Sequence, residues 1–339
     1  MSDQHARQVS RRMFLGGLTL LGTTAFLGLS PRSSAAEPPP ETTKIRLGHS
    51  TAICVAPLYV AAELLPGEGF TEVQYIKTGQ EVFAQAMGAG EIDIALNFSG
   101  PLLPRLEAGD PLVILAGAHV GCFELFGADH IRAIRDLKGK TVAVTQLGGP
   151  DHMFLASILA YVGVHPREDI HWVIHPFTES MPLLAAGKID AILAFPPRSQ
   201  ELRAQGIGHV VLNSSVDGPW SQYFCCMVYA NREFVRKHPM ATKRVLRAIL
   251  KAADVCALEP ARAAQLLVDR NFTQHYEYAL QTMQDVPYAK WREYNPEDTV
   301  RFYALRLHEV GMLKSSPQKI IAQSTDWRFF NELKKELKG

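Results

Sequence analysis

Several short segments of this chain carry polar and aromatic side chains able to hold a small ligand. Gln146-Leu147-Gly148-Gly149-Pro150-Asp151 precedes a helical pattern over Met153–Val162. Glycine there lets backbone approach a ligand, and the exposed N–H groups of a helix start favour an anion. A tight strand-to-helix turn needs the same glycines, and both readings stand. Asp151 is a natural N-cap whose carboxylate would compete with an anion for those donors. Asn97-Phe98-Ser99-Gly100 precedes Pro101 in a second such loop. Asn97 and Ser99 can donate hydrogen bonds and Phe98 offers an apolar wall, although ordinary turn chemistry uses the same residues. Phe195-Pro196-Pro197-Arg198 is a third. Phe195 is the pocket candidate, and Arg198 is either a bidentate partner for a carboxylate or sulfonate or a solvated first-turn arginine. His49 and His152 fall in loops where they could donate to a ligand or sense pH, or simply cap the backbone. Tyr223 could stack on an organic ligand or pack within its own strand.

Other chemistries find no support. No CxxC occurs among the five cysteines, and no His, Cys, Asp and Glu spacing suggests a metal. Cys54, Cys122 and Cys256 stand alone, and the adjacent Cys225 and Cys226 read as packed small apolar residues. There is no GxSxG elbow, P-loop or HExxH. A binding role without catalytic residues, metal or cofactor is therefore expected.

The elements that must position these loops repeat. Lys44–His49, Glu72–Thr78 and Ile92–Phe98 read as strands, with helical patterns over Ala56–Leu65 and Glu81–Met87 between them. The order recurs about 97 residues later as Thr141–Gln146, Asp169–His175 and Ile189–Phe195. Ala89-Gly90-Glu91-Ile92-Asp93 stands against Ala186-Gly187-Lys188-Ile189-Asp190. Alternating β and α implies parallel sheets, and two such lobes can face one cleft with the carboxyl ends of their strands. The loops at those ends would be His49–Ala52, with Ser50 and Thr51, then Thr78–Gln80, then Asn97–Pro101, and in the second lobe Gln146–Asp151, followed by His152 at a helix start, Pro176–Glu179 and Phe195–Arg198. The chain would cross between lobes near Val113–Phe126 and Gln222–Ala230, both strand-like. From about Asn231 helical periods dominate and should pack on one lobe: Ala241–Leu258, Ala261–Asp269, Gln274–Gln284, Glu297–Val310 and Trp327–Leu337.

The length of 339 residues fits roughly two domains of about 150 residues. A net charge of +1 leaves no excess of Lys and Arg for nucleic acid. Residues 1–36 read as an export signal. A polar stretch with Arg11-Arg12 leads into an apolar run, Met13–Leu29, followed by Ser34-Ala35-Ala36. The pattern is that of a cleaved twin-arginine leader, a route that carries folded proteins. Of the 35 basic and 34 acidic residues, four and one lie in this segment, so the remainder carries −2.

Gly48-His49-Ser50 with Ala56-Pro57-Leu58-Tyr59-Val60-Ala61 resembles the opening of solute-binding proteins in the nitrate/sulfonate/taurine group of ABC transporters. So do the two Ala-Gly-x-Ile-Asp motifs, the run Asp136-Leu137-Lys138-Gly139-Lys140-Thr141-Val142-Ala143-Val144, and Pro196. The resemblance implies an α/β, two-lobed periplasmic binding protein fold of type II, each lobe a doubly wound, mainly parallel sheet. It further implies lobe one at 44–120 and 226–339, lobe two at 121–225, a monomer, a small organic ligand, and a permease in the inner membrane as partner. A related branch makes the thiamine pyrimidine and has a cysteine-rich run near Tyr223–Asn231, of which Cys225 and Cys226 remain here. That branch holds pyridoxal phosphate on a lysine where this chain aligns Asn97, and an amide cannot form a Schiff base. A periplasmic sensor subunit is a further reading of the same fold.

Overall fold

Among the described residues, apolar and β-branched runs bounded by Gly and Pro set ten strands into two five-stranded sheets. The computed structural model describes residues 37–78 and 80–338; the export signal expected over residues 1–36 lies outside them. Sheet one begins with β1 (Lys44–Gly48), α1 (Ala56–Val60), β2 (Glu72–Ile76), α2 (Gln80–Gly88), β3 (Ile94–Phe98), α3 (Ser99–Glu107) and β4 (Leu112–Val120). The chain then enters sheet two through β5 (Glu124–Gly127), β6 (Lys140–Val144), α4 (Pro150–Tyr161), β7 (Ile170–Ile174), α5 (Phe177–Ala185), β8 (Ala191–Ala194), α6 (Arg198–Gln205) and β9 (His209–Asn213). It returns through β10 (Phe224–Asn231) to sheet one. The strand orders are β2-β1-β3-β10-β4 and β7-β6-β8-β5-β9. In each sheet four strands point the same way, and one strand from a crossover, β10 or β5, lies antiparallel between its neighbours. The sheets therefore share one topology, as the repeat anticipates.

The Ala-Gly-x-Ile-Asp motif has a physical purpose in both copies. Gly90 and Gly187 hold φ of +76° and +65° and end the preceding helix, a conformation open to glycine. Asp93 then accepts from Arg46 N (2.8 Å) and ion-pairs with its guanidinium (2.6 Å), while Asp190 accepts from Thr141 N (2.7 Å). Each aspartate ties the start of the third strand to the first. The strands stop one to two residues earlier than the sequence suggests, except β3, which keeps Asn97 and Phe98 and passes directly into α3 at Ser99.

After β10 come α7 (Arg232–Lys237), α8 (Pro239–Leu258), α9 (Pro260–Asp269), α10 (Tyr276–Asp285), α11 (Pro296–Glu309), α12 (Pro317–Ser324) and α13 (Arg328–Glu336). Proline opens α8, α9, α11 and α12, where its missing N–H is no loss. Asn231, Asn295 and Ser316 cap α7, α11 and α12 with side-chain oxygens. The tail does not stay on one sheet as expected. Helix α8 packs on α1 and β4, but α11 lies against α4 and α10 against α6. Helix α4, buried from Asp151 to Leu159, is therefore enclosed by α3 and α11, which explains why its sequence is apolar all round. Ile53 N donates to Pro196 O (3.2 Å), and Arg203 of α6 ion-pairs with Asp285 of α10, so elements of both sheets are joined.

Candidate functional site

The carboxyl ends of β1, β2, β3, β6, β7 and β8 converge on one cleft, because all six strands point the same way within their sheets. A cavity of about 330 Å³ is lined by His49, Ser50, Thr51, Thr78, Asn97, Thr145, Phe177 and Phe195, among others. A neighbouring cavity of about 370 Å³ shares Thr51, Thr145, Phe177 and Phe195 and reaches Arg198. A third, about 230 Å³, joins Asn97 to Gln146, Gly148 and Gly149. The polar lining is hydroxyl and amide, and phenyl rings form the walls. The arginines at the edge are engaged: Arg198 Nη1 donates to Glu201 Oε2 (2.6 Å), and Arg105 Nε to Asp110 Oδ2 (2.7 Å).

Asn97 sits at the centre of this arrangement, lining the first and third of these cavities and a smallest one, about 30 Å³, next to them. Its Oδ1 accepts from Phe98 N (2.8 Å), which turns the amide NH₂ away from its own backbone. Thr78 Oγ1 is buried without a hydrogen-bond partner, so a ligand acceptor or donor there would satisfy it. The loop after β1 is held by Tyr59, whose hydroxyl donates to Ser50 O (2.6 Å) and accepts from Ser50 N (2.9 Å). His49 lies tilted against Tyr59 and Phe272, and burial, then Lys77, depresses its pKa. It is therefore a neutral imidazole near neutral pH.

Gln80 opens α2, after the carboxyl end of β2. Other expected residues lie elsewhere. Ser99 is fully buried and its Oγ donates to Met227 Sδ (2.9 Å), so it faces sheet one rather than the cleft. Gly100 is buried where α3 meets α4; a Cβ there would lie 2.5 Å from Phe98 Cε1 and 2.8 Å from Met153 Cβ. Phe98 is a core ring, edge-on to Phe123, Phe154 and Tyr303, that reaches only the smallest cavity. His152 is buried against Trp172 and its Nδ1 accepts from Gly148 N (3.1 Å). Burial, with Arg167 nearby, pushes its pKa down to about 4, so it is a neutral brace for the glycine loop. Gly149, not Asp151, is the N-cap of α4. The Asp151 carboxylate instead accepts from Thr145 N and Oγ1, and burial raises its pKa. Tyr223 stacks on Phe302 at 4.0 Å and lines a separate surface groove, so it serves packing.

One group has no counterpart among the spacings read from the sequence. Cys54, Cys122, Cys225 and Cys226 meet beneath Asn97, all buried and free, with Cys122 Sγ 2.7 Å from Cys225 Sγ. His119 joins them. Thr78, Phe83, Thr145 and Phe177 were likewise absent from the expected set, although Thr78 and Phe177 fall within loops placed at the cleft.

The fold matches solved periplasmic binding proteins. The nitrate-binding protein NrtA of Synechocystis PCC 6803 superposes with a TM-score of 0.73 at 18% identity, over 89% of this chain and 90% of that one. A sulfonate-binding protein SsuA of Methylobacillus flagellatus gives 0.66 at 17%, over 87% and 94%. In sequence, the nitrate/nitrite binding protein NrtA of a Nostoc species is 24% identical over 250 residues, 66% of this chain; the match spans only 56% of that relative's length. Residues 38–268, which hold both sheets and every cleft loop, fit the model of the NMT1-like family, and the chain belongs to that family.

Proposed function

We propose that this protein is the solute-binding component of an ABC import system, closing two lobes on a small organic solute and presenting it to a permease. Lobe one would comprise residues 44–120 and 226–339, and lobe two residues 121–225. The observation that carries the proposal is the convergence of six strand-end loops on a cleft lined by hydroxyls, an amide and phenyl rings, with its edge arginines already paired. Such a lining orients a solute by directed hydrogen bonds and covers its carbon with rings. The related proteins are named for nitrate and sulfonates; the walls of Phe177 and Phe195 favour a sulfonate, carboxylate or similar organic solute over a bare oxyanion. Asn97, where the pyrimidine-synthase branch would need lysine, supports binding over catalysis. Twin-arginine export through residues 1–36, a periplasmic location and a monomeric state complete the proposal. Among the described residues no helix is long and apolar enough to cross a membrane.

The test is a thermal-shift and calorimetric screen of the purified chain against nitrate, short sulfonates, carboxylates and pyrimidines. A ligand of the folded state raises Tm by mass action. A concentration-dependent rise with one class, lost in Asn97→Ala and Phe195→Ala, is expected, with the compound recovered unchanged. Turnover of the compound, or a rise that survives both substitutions, refutes the proposal.

A further inference from the structure

Beneath the cleft floor, four thiols and an imidazole from distant parts of the chain occupy one buried spot. Cys54 follows β1, His119 ends β4, Cys122 lies on the first crossover, and Cys225 and Cys226 open β10. Two triads, Cys54–His119–Cys226 and His119–Cys122–Cys225, each bring their ligating atoms within 4.8 Å of one another. Ligands of a tetrahedral Zn²⁺ with Zn–S of ~2.3 Å lie roughly 3.8 Å apart, so either triad needs only side-chain adjustment to close on a cation.

His119 is fully buried, and its two ring nitrogens are not alike. Nδ1 faces the carbonyls of Val120 (3.4 Å) and Gly121 (3.3 Å), while Nε2 is buried with no hydrogen-bond partner. A proton on Nδ1 leaves a lone pair on Nε2, the tautomer a metal requires, with a backbone carbonyl orienting the ring in the usual manner. Without a cation, the unpaired nitrogen is desolvated with no return. Tyr288 adds a second brace: its hydroxyl donates to Cys54 O (2.9 Å), and its ring meets His119 edge-on at 5.3 Å.

Space and charge agree. A cavity of about 30 Å³ is lined by all four thiol residues together with Ser50, Asn97, Phe123 and Phe195. That is about the share of one water molecule, enough for a monatomic cation. Because Ser50, Asn97 and Phe195 also line the main cleft, an ion has a route in. Two thiolates and a neutral imidazole around Zn²⁺ sum to zero charge, which this apolar setting of Leu96, Phe98 and Phe123 tolerates. Sulfur and imidazole select thiophilic cations over Mg²⁺ or Ca²⁺.

We propose that this cluster binds one thiophilic d¹⁰ cation, Zn²⁺ or Cu⁺, through His119 and two of the four cysteine thiolates. Binding releases the thiol protons to solvent and changes no oxidation state. The cation would tie the end of β4 to the start of β10, and in the Cys54 triad also to the segment after β1, directly under the solute.

The experiment loads the reduced full chain with Zn²⁺ or, anaerobically, Cu⁺, removes excess by gel filtration, and measures metal per chain. Co²⁺ substitution reports thiolate ligation by its near-ultraviolet charge-transfer band. One equivalent of Zn²⁺ or Cu⁺ is expected, the better-retained ion identifying the preferred cation. Occupancy should fall at least about tenfold in His119→Gln and in one of two pairs, Cys54→Ser/Cys226→Ser or Cys122→Ser/Cys225→Ser, which assigns the triad. Cys256→Ser, a buried cysteine elsewhere in α8, should keep full occupancy. If variants fold poorly, the wild-type chain still decides: loading must raise Tm and shield thiols from alkylation. A chain that retains neither ion, shows no thiolate-to-Co²⁺ band, or carries a Cys122–Cys225 disulfide in place of metal overturns the proposal.

Discussion

Glu124 offers a test of how the two sheets are coupled. It lies on β5, almost wholly buried, with Arg203 Nη1 3.2 Å away, and Arg203 also pairs with Asp285 of α10. Its Oε2 has no hydrogen-bond partner. Burial raises its pKa from 4.5 to about 7, outweighing the pull of Arg203, and Asp285 adds to the rise. The folded chain thus holds a proton that the unfolded chain gives up near pH 4.5. Between these two pH values the folded state binds more protons, so stability falls as pH rises, then levels above about 7. At ~1.4 kcal/mol per tenfold change in proton affinity, the loss is about 3 kcal/mol. Glu124→Gln keeps the shape and removes the titration. Denaturant unfolding of both proteins at pH 5, 6, 7 and 8 cancels every other titrating group in the difference. The wild type should be the more stable or equal at pH 5, and should lose about 2.5 kcal/mol relative to the variant between pH 5 and pH 8. A difference that is constant across pH, or that grows in favour of the wild type, refutes this account of the Glu124–Arg203–Asp285 contact.

Three further outcomes follow from named contacts. Asp93→Ala removes a buried carboxylate that holds both the backbone and guanidinium of Arg46, and should cost about 3 kcal/mol by denaturant unfolding; Asp190→Ala, at the more exposed equivalent place, should cost about 1 kcal/mol. Gly100→Ala forces a methyl into Phe98 and Met153 and should cost about 1–3 kcal/mol in the same assay, whereas Gly148→Ala meets open space but a φ of +81°, costing about 1–2 kcal/mol. Once a solute is found, calorimetry should show Asn97→Ala and Phe195→Ala weakening it about tenfold or more, roughly 1.4 kcal/mol each. Arg198→Ala and Tyr223→Ala should leave affinity within about twofold, because one side chain is paired with Glu201 and the other stacked on Phe302.

Much of the architecture is legible because it is written locally and twice. Alternating β-branched runs, the glycine that ends a helix and the aspartate that pins the next strand recur at Gly90-Asp93 and Gly187-Asp190, so topology follows from pattern alone. From topology it follows that the loops after β1, β3, β6 and β8 meet, and His49, Ser50, Thr51, Asn97, Gln146 and Phe195 do line the cavities. What pattern does not encode is the direction of each side chain once strand ends are fixed. Because β3 runs straight into α3, Ser99 turns inward to Met227 and Gly100 becomes a packing surface, although both neighbour Asn97 in sequence. Docking between layers decides others: α4 is enclosed by α3 and α11, so His152 is sealed and Asp151 serves Thr145. The cysteine cluster is the extreme case. Its members come from a turn, a strand end, a crossover and the start of a returning strand, separated by 65 to 172 positions apart from the close pairs His119–Cys122 and Cys225–Cys226. No spacing rule for metal ligands spans such intervals, since those rules describe ligands on one hairpin or one helix. The convergence arises because the segment after β1 reaches the point where β4 ends and β10 starts. A site built at the crossing of a two-lobed fold is therefore invisible to motif reading yet strongly fixed by topology, and the same crossing that would let the lobes move keeps these five side chains together.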